Sequence, residues 1–193
     1  MRKGEESKQR LIACAAELFW KKGYSATGIS EILQLTGLPK GSFYFYFKSK
    51  DELAVEVTEY YQKMILEHLQ EAAKERNWEE FIEKAFAYLC GRTQGGTVSG
   101  CPYAVMGMET ALSKPEVAAV FMEGLKKLQT LFYDVLLFSG VPQNHALILS
   151  ERFLSVYQGE LLLGRISGEA SYLAHARNNM MDMYREYRTC HGI

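Results

Sequence analysis

The residues of this chain best suited to a polyanion are gathered near its amino end, in PKGSFYFYFKSK. Lys40 brings charge. Ser42, Tyr44 and Tyr46 bring hydroxyls of the kind that bond phosphate oxygens. Gly41 has no side chain, so a helix carrying it can approach base edges closely. Phe45 can touch a thymine methyl but makes no bidentate hydrogen bond. Thr27 and Lys50 fall where helices should begin, and free amides and the helix dipole attract a phosphate at such places.

The other reactive side chains are dispersed. Cys14, Cys90, Cys101 and Cys190 are widely spaced with no CxxC pair, and in a reducing compartment they should be free thiols. His68, His145, His175 and His191 have no metal-ligand spacing with a cysteine or with one another, so no metal and no cofactor is expected. Cys101 stands just before a predicted helix, where a thiol can acquire a lowered pKa and react with electrophiles or oxidants. A Cys/His enzyme would need its nucleophile and base to meet in space, and nothing in the spacing points that way, so the chain is read as not an enzyme.

The first group needs a frame to present it, and Ser25 to Leu53 supplies one. Ile29, Ile32 and Leu33 share one helical face, with Thr27 placed to cap it. Gly37 is suited to end that helix in a left-handed turn. Leu38 in the turn should plug into a core, and Pro39 fits the first turn of a second helix. On that helix Phe43 and Phe47 lie four apart on one face. Ser49-Lys50-Asp51-Glu52 reads as a capping box opening the next helix. Two helices joined by a short glycine-containing turn form a helix-turn-helix, whose second helix enters the major groove.

GISEILQLTGLPKGSFYFYFKSKDEL resembles the DNA-binding segment of the TetR/AcrR family of transcriptional regulators. The matching residues are Thr27, Ile29, Ile32, Gly37, Lys40-Gly41-Ser42-Phe43-Tyr44, Phe47 and Ser49-Lys50. The resemblance implies DNA contacts at Thr27, Lys40, Gly41, Ser42, Tyr44, Phe45, Tyr46 and Lys50. Phe45 departs from it, since the family often carries a polar residue there.

The remainder reads as helix. The chain has 193 residues, 48% of them hydrophobic, and only four prolines, which favours an all-α protein with a real core. No run of apolar residues is long enough to span a membrane, and MRKGEESKQR lacks the apolar core of a secretion signal, so a cytoplasmic location is expected. Helices are predicted over Lys3 to Lys22, Asp51 to about Lys74, Trp78 to Gly91, Tyr103 to Leu112, Ser113 to about Ser139, Pro142 to about Ile166 and Glu169 to about Arg188. Ser113-Lys114-Pro115-Glu116 reads as a second capping box, and residues 92–103 read as a loop. With the two helices of the motif this makes about nine. A three-helix head over residues 1–50 should bind DNA, and a helical bundle over residues 51–193 should bind a ligand and dimerise. Residues 1–50 hold nine Lys/Arg against four Asp/Glu, and residues 51–193 hold thirteen against nineteen. A basic head on an acidic body suits a head that meets phosphates.

Leu149, Phe153, Val156 and Leu163 on one helix, and Leu173, Ala176, Met180, Met183 and Tyr187 on the last, form seams of the kind that build a four-helix bundle between two copies of a chain. A homodimer presenting two heads roughly 34–36 Å apart would read a pseudo-palindromic operator. In the body, Phe86, Tyr103, Met106, Phe132, Phe153 and Tyr157, with Glu109 and Glu160 as polar points, are the expected lining of a small-molecule site. Gly-Cys-Pro at 100–102, followed by a helix containing Met-Glu-Thr-Ala, resembles the regulatory domain of the LmrA/YxaF-like branch of the TetR family. That resemblance implies a small lipophilic or aromatic effector and, by family habit, a repressor released from its operator. The long helix from Asp51 would act as the lever between effector and head. The alternative is regulation through the Cys101 thiol.

Overall fold

The computed structural model describes residues 3–93 and 98–192, without the Lys3 side chain. Part of the loop expected over 92–103 therefore lies outside the described residues, at 94–97. The described residues form ten α-helices and one π-helical turn, with no strand. They are α1 (Lys3–Lys22), α2 (Ile29–Thr36), α3 (Lys40–Tyr46), α4 (Lys50–Tyr61), α5 (Glu67–Ala73), α6 (Trp78–Gly91), α7 (Pro102–Thr110), α8 (Pro115–Phe138), α9 (Gln143–Ser167) and α10 (Ser171–His191). The single long helix expected from Asp51 is interrupted by the π turn, Gln62–Leu66, between α4 and α5. Taken as one helical run, residues 50–73 bring the count to nine.

The chain divides into two compact units. The first holds residues 1–65 and 102–125, and the second holds residues 66–101 and 126–193. In the first, α1 packs on α2, α3, α4 and α7. Leu11, Ala15, Phe19, Ile32, Phe43 and Phe47 are buried there, and the Tyr61 hydroxyl donates to the Ala16 carbonyl at 2.7 Å. Leu38 is only half-buried. It closes the α2 turn mainly through its backbone, donating to the Leu33 carbonyl while Gly37 takes φ 65°.

Gly124, in the middle of α8, belongs to the same unit. A Cβ there would sit 2.3 Å from the ring carbons of Tyr103, whose side chain is fully buried. Glycine inside a helix ordinarily costs about 0.5–1 kcal/mol relative to alanine, so Gly124→Ala should stabilise if helix propensity alone counted. The rigid aromatic wall reverses the sign. The expected result is destabilisation of about 1–3 kcal/mol in urea melts, as overpacking produces.

In the second unit α6 packs on α5 and α10, and α9 on α10. Asn77 and Glu80 cap α6 reciprocally, with side chain to backbone bonds of 3.0 and 3.1 Å. Trp78, the first residue of α6, is fully buried and stacks on Phe153 with centroids 4.4 Å apart. Phe132, Phe81 and Tyr184 surround it at 5.6, 5.7 and 6.2 Å. Glycines end α9 and α10 at φ 78° and 66°.

Candidate nucleic-acid interface

The first unit builds α3 as a short helix seated on one face. Phe43 and Phe47 point inward, their centroids 5.6 Å apart. The helix begins one residue later than expected: Pro39 is its N-cap, and Lys40 is the first helical residue. At about 3.6 residues per turn, Gly41 and Phe45 fall opposite Phe43, flanked by Ser42 and Tyr44. The exposure agrees. Lys40 and Gly41 are exposed, Tyr44 is 53% and Phe45 80% exposed, and Ser42 and Tyr46 are intermediate. No described residue outside its own helix comes within 4 Å of where a Cβ at Gly41 would be.

Three expected contacts are placed differently. Thr27 is buried, and its hydroxyl donates to the Gly23 carbonyl at 2.8 Å. The N-cap of α2 is Gly28, with no side-chain cap. Thr27 sits one residue too early to cap and instead closes the end of α1. Lys50 is half-buried, and its ammonium donates to the Tyr24 and Thr27 carbonyls at 2.9 and 3.0 Å while lying 4.2 Å from the Tyr24 ring centroid. Tyr46, half-buried, is also engaged within the protein, its hydroxyl donating to the Gly4 carbonyl at 2.8 Å at the surface. Ser49 does cap α4, accepting from the Glu52 amide at 3.2 Å, while the Glu52 carboxylate accepts from the Lys48 amide at 2.7 Å.

The loop between α1 and α2 is held by groups to which the sequence reading gave other roles. Asp51 accepts from the Tyr24 hydroxyl and from the Lys114 ammonium. The Glu109 carboxylate accepts from the Ser25 amide at 3.0 Å and lies against Gly23, whose φ of 96° no bulkier residue adopts easily. α8 opens at Pro115, and Lys114, which flanks it, is the residue that reaches Asp51. These are sequence-distant partners, and no local pattern announces them.

The hydrogen bonds from Lys114 and Tyr24 hold the Asp51 carboxyl below its ordinary value of 3.8. Burial, then Asp51, pushes the Tyr24 phenol up, and burial pushes the Lys50 ammonium down. A depressed carboxyl contributes stability that is complete above its unfolded pKa and is lost as pH falls through its folded one. Asp51→Asn should therefore cost about 1–2 kcal/mol near neutral pH. It should also flatten the acid limb of a urea-midpoint profile below the ordinary carboxylate range, whereas the wild type keeps falling there.

The residues expected around an effector are not all brought together. In the second unit Phe86, Phe132 and Tyr157 line a tightly packed apolar crevice with Leu69, Phe81, Ile82, Ala85, Leu89 and Met180, whose free volume is only about 10 Å³. Phe153 does not line it and is stacked on Trp78. Tyr103 and Met106 are buried in the first unit, near Tyr61 in the case of Tyr103, at 6.0 Å between ring centroids. Glu109 is the tie to Ser25 just described. Glu160 accepts from Asn179 at 2.7 Å in an open groove between α9 and α10.

The two expected seams also split. Leu149, Phe153, Leu173, Ala176 and Met180 are buried within the unit, whereas Val156, Leu163 and Met183 line the open groove. Cys101 is buried immediately before α7, while Cys90 and Cys190 are exposed. Among the described residues no group of three or more potential ligands could hold a metal, and no helix is long and apolar enough to cross a membrane.

Two family descriptions match this arrangement. Residues 11–57 match "Bacterial regulatory proteins, tetR family", and residues 78–179 match "Transcriptional regulator LmrA/YxaF-like, C-terminal domain". The uncharacterized HTH-type transcriptional regulator YxaF of Bacillus subtilis is 30% identical over 82% of this chain and 84% of its own. The HTH-type transcriptional repressor NemR of Escherichia coli is 26% identical over 90% and 93% of the two chains. A TetR-family regulator of Agrobacterium tumefaciens has the same fold, with a TM-score of 0.83 at 20% identity over 93% and 98% of the two chains. With the exposed α3 crest above a buried phenylalanine pair, these matches make the chain a member of the TetR family of DNA-binding, helix-turn-helix transcriptional regulators, with a C-terminal domain of the LmrA/YxaF-like kind.

Proposed function

We propose that the protein is a cytoplasmic repressor that binds a pseudo-palindromic operator as a homodimer and leaves it on binding a small lipophilic or aromatic molecule. The DNA-binding head is residues 1–50, and residues 51–193 bind effector and partner. The observation that carries this reading is the α3 crest: Gly41 under open space, with Lys40, Tyr44 and Phe45 exposed beside it. Gly41, Lys40, Ser42, Tyr44 and Phe45 meet the major groove. Tyr46 can still accept a hydrogen bond while donating to Gly4. Thr27 and Lys50 act chiefly by fixing the α1–α2 loop, through the bonds to Gly23, Tyr24 and Thr27.

The apolar, aromatic lining of the crevice supports the nature of the effector, which has to part those side chains to enter, and the groove holding Val156, Leu163 and Met183 supports the dimer contact. Leu69 of α5 lines the crevice and belongs to the helical run that starts at Lys50, so a ligand there biases the helix leading to the head. A ten-fold loss of operator affinity requires about 1.4 kcal/mol of differential binding. The thiol alternative has less support because Cys101 is buried. Labelling of Cys101 by iodoacetamide no faster than free cysteine ends it.

The test is enrichment of duplexes from a random library, followed by mobility shift against scrambled competitor. The expected result is a two-fold symmetric consensus bound by two protomers. Equal affinity for consensus and scrambled DNA, with no effector added, would overturn the regulator reading.

A further inference from the structure

We infer that Phe45 reads thymine through its C5-methyl group, so that operator choice rests on apolar contact at the crest of α3. The inference depends on the operator-binding reading above. The seven residues of α3, KGSFYFY, include no Arg, Asn, Gln, Asp or Glu. The side chains that pair bidentately with guanine or adenine, or accept from cytosine, are therefore absent apart from Lys40 at the first position. The two crest positions are Gly41, which offers nothing but access, and Phe45, which is 80% exposed.

A large aromatic ring left in water on the outermost line of a helix gains by burial against an apolar surface. In the major groove the apolar feature is the thymine methyl, which cytosine, adenine and guanine lack. The ring is also held in place. Phe45 meets Tyr46 edge to face, with centroids 4.9 Å apart and an interplanar angle of 89°. Tyr46 in turn is anchored through its hydroxyl to the Gly4 carbonyl of α1. Phe45 is thus backed by an anchored ring, which lowers the cost of ordering it on binding.

Replacing thymine by uracil removes the methyl and leaves every base-pairing edge intact. The full-length protein is used to enrich an operator, and each thymine of that duplex is then replaced singly by deoxyuridine. The wild type should lose about three- to five-fold in affinity at one thymine per half-site, as expected for one buried methyl. Phe45→Ala should bind the thymine duplex more weakly and show no uracil penalty at that position. Because the side chain is exposed, its thermal melt should match the wild type. Wild-type binding unchanged by uracil at every position, a consensus without thymine under α3, or an undiminished penalty in Phe45→Ala would each overturn the inference while leaving DNA binding intact. Enrichment of no duplex would overturn the operator reading and this inference with it.

Discussion

Gly41→Leu should fold at least as well as the wild type and bind its operator about 100-fold more weakly. The two halves of that expectation come from the same observation. Among the described residues, beyond its chain neighbours and its own helix, nothing lies within 4 Å of the Cβ position at Gly41, and the residue is exposed on an α-helix with no positive φ. Leucine is the better helix former by roughly 0.5–1 kcal/mol, so the thermal midpoint should hold or rise. In the complex the same empty space is where the base edges belong, and an isobutyl group holds α3 away from them. Losing close contact along one groove face in each of two protomers amounts to a few kcal/mol in total, comparable to overpacking a core. Gly41→Ala should fall between the two. Mobility shift and circular dichroism on the same preparations check both halves, and an unimpaired Gly41→Leu would show that α3 does not approach DNA along this line.

Trp78→Ala should be the most destabilising single change in the second unit, at about 3–5 kcal/mol. The indole is fully buried among Phe153, Phe132, Phe81 and Tyr184, at the first turn of a helix whose cap fixes its position. The Trp78 amide also donates to the Ser139 hydroxyl at 2.7 Å, a bond that the substitution leaves in place, so the loss is one of packing. The indole N–H has no hydrogen-bond partner among the described residues, and a buried orphan donor is itself unfavourable. Trp78→Phe removes that donor along with part of the volume and should cost much less than the alanine change. Urea melts at a fixed protomer concentration measure both, since association contributes to apparent stability.

The α3 crest could be read from sequence because it is local. Phe43 and Phe47 at i and i+4 fix the buried side, and the outward residues follow from helical periodicity alone. The cap of α4 at Ser49 and the left-handed turn at Gly37 followed from residue type in the same way. What could not be read is long-range. Lys50 looks like a phosphate ligand until Tyr24 and Thr27 present their carbonyls to it, and Glu109 looks like a pocket carboxylate until the Ser25 amide reaches it. Both depend on where α1 turns, which no helical period encodes. The π turn at Gln62–Leu66 escaped for the opposite reason: its sequence, QKMIL, is compatible with an ordinary helix, and only the surrounding packing decides the winding.

The basic head owes less to its excess of lysine and arginine than a charge count implies. Lys8 is bound to Glu56, Lys21 to Glu17 and Lys22 to Glu31, while Arg10 and Lys50 donate to backbone carbonyls. Lys8, Lys21 and Lys22 are therefore matched by carboxylates, while Arg10 and Lys50 keep their charge but have their donors turned to the protein, so fewer mobile ions leave the duplex on docking than the number of basic residues suggests. Lys40 and Lys48 are the exposed lysines of the described head with no carboxylate partner, and as countercharges they would contribute a slope of only about −4 for the proposed dimer when the logarithm of operator affinity is plotted against that of ionic strength. Such a protein keeps its grip over a wide range of osmotic conditions and holds random genomic DNA only weakly.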